Sequence, residues 1–342
     1  MYLSHHVGQS NFFVNRGTEQ EMMKQSRFAA YAWGVLLYNL GVILWGAFVR
    51  ASGSGAGCGS HWPLCNGDVI PKAAYIETLI EFTHRLTSGV ALLLVVGLAV
   101  WAFRAFPAKH HVRFGAILSL IFIISEALVG AGLVLFGLVA ENSSRMRAVV
   151  ISIHLVNTFL LVAGLTLTAW WAAGGPPVQL RRTGYPAVLL AVALFASLLL
   201  GITGAITALG DTLFPVGSVA EGIQRDFATT AHFLERLRII HPALAVALGV
   251  YVVVASRIVS RMRPSMHTNR FARLLVGLFG VQLLVGLLNV QLLAPIWLQL
   301  VHLLLADGVW IALVLLSASA LAAPVADQQA AQSLQAVPQP SN

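Results

Sequence analysis

Charge is scarce in this chain: of 342 residues only 13 are Asp or Glu and 21 are Lys or Arg, whereas 58% are hydrophobic. With a mean hydropathy of +0.80, that composition excludes a soluble domain of this length and leaves the bilayer as the solvent. Cysteine is almost absent, with only Cys58 and Cys65, both in one segment between apolar stretches. Residues 1–29 have no apolar run and include Glu19 and Glu21, so neither a signal peptide nor an Arg-rich transit peptide is visible. Their absence favours a bacterial plasma membrane over an organelle.

Long apolar runs are abundant. A spanning helix needs about 20 apolar residues, and eight such stretches occur, near 30–49, 76–103, 114–140, 148–173, 187–210, 229–256, 271–293 and 297–320. The expected fold is an all-α integral membrane protein of eight transmembrane helices. The formal charge of +8 and pI near 10.1 raise the question of a nucleic-acid partner, which the placement of the basic residues answers. Arg16, Lys24 and Arg27, then Arg104, Lys109 and Arg113, then Arg181 and Arg182, then Arg257, Arg261, Arg263 and Arg270 fall on one side of the alternating segments; only Arg50, Lys72, Arg145, Arg147 and Arg225 fall on the other. The basicity therefore reports topology and no nucleic acid: both termini are expected in the cytoplasm, with 51–75, 141–147 and 211–228 outside. The end of the chain, from about 321, is polar, rich in Gln and Pro, and expected to be a disordered cytoplasmic tail.

Two halves superpose. Gly46-Ala47 returns as Gly204-Ala205, His84 as His241, Leu128-Val129-Gly130 as Leu284-Val285-Gly286, and His154 as His302. The shift is almost constant and drops only at the last match, as if the loop before the fourth helix were shorter in the second copy. An even number of spans per half gives a parallel repeat. The organisation read from this is a cytoplasmic extension 1–29, a four-helix half 30–173, a linker 174–186 and a four-helix half 187–320, the two bundles being related by a pseudo-twofold axis.

Eleven histidines are present, and most belong to extensions or loops. His84, His154, His241 and His302 lie instead within the second, fourth, sixth and eighth stretches, all about 8–20 Å from the outer end at 1.5 Å per residue. An ionisable residue in a span is a functional-site hypothesis by default, although a single histidine can simply bond to a neighbouring helix. Two per half at matching depth point to axial ligation of heme iron, His84 with His154 and His241 with His302. Zinc or copper is the competing ligand, but carboxylate and thiolate company is thin. His232, at the outer end of the sixth stretch, has no counterpart and is read as interfacial, against a heme edge.

The segment Gly46-Ala-Phe-Val-Arg50-Ala-Ser-Gly53-Ser54-Gly55, then Cys58, Trp62-Pro63-Leu64-Cys65-Asn66-Gly67 and Glu81-Phe-Thr-His84-Arg85, resembles the signature of the heme A synthase family, and the similarity runs through all eight stretches. One departure is Cys58-Gly-Ser-His61-Trp62-Pro63, where the family usually reads Cys-Pro-Asp-Trp-Pro. The resemblance implies oxidation of the methyl at ring position 8 of heme O to a formyl group, giving heme A for terminal oxidases. It also implies that the N-terminal histidine pair holds heme O as substrate and the C-terminal pair a permanent heme B. Heme O synthase and an electron acceptor are candidate partners beside membrane lipid, and a homo-oligomer stays open. The rival functions are a diheme b-type electron-transfer cytochrome and a transporter built on a parallel repeat.

Glu81, three residues before His84, shares its helical face and is the candidate catalytic proton acceptor; the alternative is a structural pair with Arg85 or a residue that orients the histidine. The repeat position of Glu81 carries Arg238, as two unlike heme sites would require. Arg50, Arg85, Arg236 and Arg238 sit near outer ends and are expected to bind heme propionates, the alternative being interfacial snorkelling. Cys58 and Cys65, on the oxidising side, are expected to form a disulfide that staples the first outer loop, with redox relay as the alternative. The Gly-rich stretches 52–57 and 128–132 lack a Gly-Lys-Ser/Thr ending or lie inside a span, so turns and helix packing explain them.

Overall fold

A computed structural model describes residues 7–72, 75–179 and 184–322, with side chains from Met23 onward. The tail beyond 322 and the linker positions 180–183 lie outside the described residues. A bilayer offers no water to backbone N–H and C=O groups, so an apolar segment satisfies them internally as helix. The described residues contain no strand, and eight of their helices are long and apolar enough to cross a membrane. The protein is a multi-pass membrane protein. Its side chains agree with that solvent: Leu93, Leu128, Phe195, Val250 and Leu284 are more than 60% exposed to the surroundings.

The chain divides into two compact units, Met1–Gly174 and Gly175–Asn342. The first contains α1 (Val7–Ala51), α2 (Ile76–Ala105), α3 (His111–Leu135) and α4 (Arg145–Ala172), closed as a ring in which each helix packs on the next and α4 returns to α1. The second contains α5 (Gly184–Leu213), the short helices α6 (Val219–Asp226) and α7 (Phe233–Arg238), then α8 (Ile240–Met262), α9 (Met266–Gln291) and α10 (Ile296–Ala320). Its ring is α5, α8, α9, α10 and back to α5.

Helix ends differ from the sequence expectation where capping, not apolarity, decides them. Helix α1 starts at Val7, far ahead of its apolar run, because helix formers such as Glu19, Gln20 and Glu21 extend it. Helix α3 stops at Leu135, short of residue 140, where Gly137 turns left-handed (φ 62°) and Leu138 N–H bonds back to the Leu133 carbonyl at 2.8 Å, a glycine C-terminal cap. The sixth span begins at Phe233 and breaks at Ile239 between α7 and α8. Pro242 has no N–H to give the Arg238 carbonyl four residues earlier.

Polar contacts between helices repeat across the units. The Tyr31 hydroxyl of α1 donates to the Leu94 carbonyl of α2 at 3.0 Å, and the Tyr251 hydroxyl of α8 donates to the Leu189 carbonyl of α5 at 2.9 Å. These are the same helix pair of the repeat, with donor and acceptor exchanged. Close approach of α3 and α4 comes from small residues: a Cβ on Gly164 would stand 3.1 Å from Ser119 Oγ, and one on Gly115 would clash with Thr168.

Candidate functional site

In the first unit His84 projects from α2 onto Gly46 of α1, where an added Cβ would lie 2.8 Å from the imidazole Cε1. His154 projects from α4 toward Gly130 of α3, with Cε1 3.8 Å from the corresponding position. In the second unit His241 of α8 abuts Gly204 of α5 and His302 of α10 abuts Gly286 of α9, at 2.9 and 3.1 Å. The glycines that mark the repeat in sequence are therefore the ones that seat its four histidines. A methyl group at Gly46, Gly204 or Gly286 would occupy the volume the ring now uses.

The His241 and His302 rings stand 6.4 Å apart between centroids and nearly perpendicular, at 83°. Two imidazoles whose nitrogens each lie about 2 Å from one metal, with the ring centres roughly 1 Å farther back, would have those centres ~6 Å apart. His241 Nδ1 meets Thr203 Oγ1 at 3.1 Å, and His302 Nε2 lies 3.3 Å from Gln282 Nε2. Buried Nδ1 atoms of His84, His154 and His302 have no aligned hydrogen-bond partner. Among the described residues no three His, Cys, Asp or Glu side chains converge as a metal-ion donor set. The His241–His302 spacing fits two imidazoles on one iron that brings its own equatorial nitrogens, as heme does.

Glu81 is buried at 3% exposure. Its Oε2 accepts the Cys58 N–H at 2.8 Å, and its Oε1 accepts from Arg85 Nε at 3.1 Å and from Arg85 Nη2. Arg85 Nη1 also donates to the carbonyls of His61 and Leu64, at 2.6 and 2.7 Å. Cys58 and Cys65 are joined in a disulfide, and Thr78 Oγ1 holds the Gly57 carbonyl at 2.8 Å. The stapled loop is thus fastened by about two turns of α2, Thr78 to Arg85, which also carry His84. The structural pair of Glu81 with Arg85 is present, and the carboxylate touches the loop backbone and Arg85, with no hydrogen bond to His84.

In the second unit Arg238 takes the Glu81 position and holds the outer loop with the opposite charge. Its guanidinium reaches Asp226 at 2.6 Å, Asp211 at 3.3 Å and the Phe214 carbonyl at 3.1 Å. Glu235 bonds Arg225 at 2.9 Å. Arg236 donates to the Thr229 carbonyl, and Arg50 closes α1. His232, expected against a heme edge, is the N-cap of α7: its ring accepts from Leu234 N–H while Glu235 returns a bond to the His232 N–H, a capping box with histidine in the serine position.

Residues that escaped the sequence analysis cluster beside His154. Glu126 of α3 lies 3.3 Å from His154 Nδ1 through Oε1, and receives Thr158 Oγ1 on Oε1 and Asn157 Nδ2 on Oε2, each at 2.5 Å. The signal was available, since Glu126 and Gln282 stand two residues before the matched Leu-Val-Gly triplets. Asp307 of α10, fully buried with neither oxygen hydrogen-bonded, was also unremarked.

A family model described as Cytochrome oxidase assembly protein matches residues 29–314. A protein of Thermus thermophilus called Protoheme IX farnesyltransferase is 58% identical over 86% of this chain and 49% of its own length. A Heme A synthase of Halalkalibacterium halodurans is 38% identical over 44% of this chain and 49% of its own length, and a Heme A synthase of Shouchella clausii is 47% identical over 30% and 33%. The chain spans about half the length, or less, of these curated relatives. With the family model covering most of the chain and synthases among its relatives, the chain belongs to the heme A synthase family of cytochrome oxidase assembly proteins.

Proposed function

We propose that the protein oxidises the ring-position-8 methyl of heme O to a formyl group, producing heme A, with heme O held by His84 and His154 and a resident heme B held by His241 and His302. The observation that carries this is the pairing of span histidines on glycine seats in both units, combined with the unlike residues around them: Glu81 and Glu126 in one, Arg238 and Gln282 in the other. Two electron carriers of one kind would need no such difference. Conversion of the methyl to a formyl group removes four electrons and four protons and adds one oxygen atom, formally that of water; a bound heme B would supply a one-electron relay to an external electron acceptor. The chain's own residues bind, orient and accept protons.

Glu81 is the proposed proton acceptor, since oxidation of a methyl group releases protons as well as electrons. Its ion pair with Arg85 must loosen for it to take a proton, and the hold of the His61 and Leu64 carbonyls on Arg85 keeps the guanidinium in place while it does so. Propionates fall to Arg50 and Arg236 and to the single donor that Arg85 and Arg238 each retain after their protein partners are counted among five N–H groups. Both termini lie in the cytoplasm of a bacterial plasma membrane, which puts the histidine pairs in the outer leaflet. Because half of the Thermus relative that this chain matches comes from a protein called a protoheme IX farnesyltransferase, a farnesyl-transferring heme enzyme is the proposed supplier of substrate. Chromatography of hemes extracted from the purified protein tests the function: heme B with heme O or its oxidised products is expected, whereas two tightly held hemes B would make the protein an electron-transfer cytochrome.

A further inference from the structure

The carboxylate beside His154 has no equal in the second unit. Around His154, Ser125 Oγ bonds Asn157 Oδ1 at 2.6 Å, Asn157 Nδ2 bonds Glu126 Oε2, Thr158 Oγ1 bonds Glu126 Oε1, and Oε1 faces His154 Nδ1 at 3.3 Å. Through the repeat, Ser125 becomes Val281, Glu126 becomes Gln282, Asn157 becomes Leu305 and Thr158 becomes Ala306. Every member of the network is lost together, and His302 is left with an amide neighbour. Donors on both Glu126 oxygens come from α4, so the carboxylate is aimed by the helix that carries the histidine. Asn157 is itself oriented by Ser125 and by a bond to the Phe122 carbonyl at 2.9 Å.

We propose that Glu126 is a positioning residue for the substrate-heme site: its Oε1, facing His154 Nδ1 at 3.3 Å, leaves Nε2 to the iron and makes that imidazole a stronger electron donor than His302. A carboxylate facing the second ring nitrogen makes an imidazole a stronger ligand once the iron draws charge from it, and the groups around an axial ligand are one of the levers on heme potential. The heme of the N-terminal pair is then held at a lower midpoint potential than that of the C-terminal pair. The inference rests on the heme-binding function above and adds to it a cause for unlike potentials that lies outside the Glu81 segment.

The test is a redox titration, followed by visible absorbance, of the detergent-purified full chain loaded with heme. Two midpoints are expected in the unsubstituted protein. In Glu126→Gln both hemes are retained, the lower midpoint rises toward the upper, and the upper stays where it was. Asn157→Leu with Thr158→Ala, which removes the two α4 donors that aim the Glu126 carboxylate, is expected to raise the lower midpoint as well, and decides the matter if Glu126→Gln fails to accumulate. Retained hemes with unmoved midpoints in either variant overturn the role of Glu126 while leaving the heme-binding function intact. An unsubstituted protein that takes up no heme overturns both.

Discussion

Four imidazoles each rest on a glycine, and this gives the sharpest expectations for single residues. Gly46→Ala puts a methyl into the His84 ring, an overpacking of about 1–3 kcal/mol that the ring relieves by leaving its position; loss of one of two hemes, measured as heme per protein, is expected. Gly34 on the same helix has nothing within 4 Å of an added Cβ, so Gly34→Ala should keep both hemes and gain up to about 1 kcal/mol of helix propensity. Asp307 belongs to the opposite category, a fully buried carboxyl group without a hydrogen bond. Because leaving a buried polar group without a hydrogen bond costs roughly 1–3 kcal/mol, and more when it is charged, Asp307→Val should raise the melting temperature in detergent; a fall would mean that the carboxyl group has an indispensable partner. The sequence exposed the histidines and their glycines because both recur at fixed spacing. Glu126 stayed hidden because the repeat was matched by identical letters, and Glu126 opposite Gln282 is a chemical difference at an aligned position. The capping role of His232 was not legible, because a histidine can cap a helix as serine does and nothing in composition marks it.

At the scale of elements, the two turns of α2 from Thr78 to Arg85 both carry His84 and anchor the loop closed by Cys58 and Cys65. Closing a loop of this length contributes about 2.5 kcal/mol in the chain-entropy account. Cys58→Ser with Cys65→Ser is therefore expected to lower thermal stability by that order while heme content survives, since Glu81, Arg85 and Thr78 still hold the loop backbone. If product formation fell with stability and heme content unchanged, the cysteines would be a redox relay instead. Glu81→Gln keeps an acceptor for the Cys58 N–H and weakens the Arg85 pair; both hemes should be retained and conversion of heme O should stop, read by chromatography of the extracted hemes. Unimpaired conversion would confine Glu81 to anchoring. Helix existence was legible from apolar length because the bilayer forces every apolar run into helix. The break at Ile239 and the stop at Leu135 were not, because each depends on a single residue, Pro242 or Gly137, whose effect is local.

For the molecule as a whole, two units of one design with unlike surroundings predict an asymmetric response to ligand removal. His241→Ala or His302→Ala should abolish the resident heme and with it turnover, leaving substrate uptake measurable in the other unit. His84→Ala or His154→Ala should preserve the resident absorbance and eliminate retained heme O. Equal losses from either pair would argue for two equivalent carriers. The double four-helix plan was visible in the sequence through its shifted matches, whereas the short helices α6 and α7 and the ion network of Arg238 were not, since they occupy a loop that the first unit builds with a disulfide.

The paired tyrosines, Tyr31 and Tyr251, carry a consequence for descent. If both units come from one duplicated ancestor, a bond made from opposite sides cannot have been inherited unchanged in both. At least one lineage passed through a stage with both hydroxyls or with neither, and its helices still met. The bond is thus worth less than the margin by which the bundle holds together, in keeping with the ~0.6 kcal/mol typical of such links in membranes.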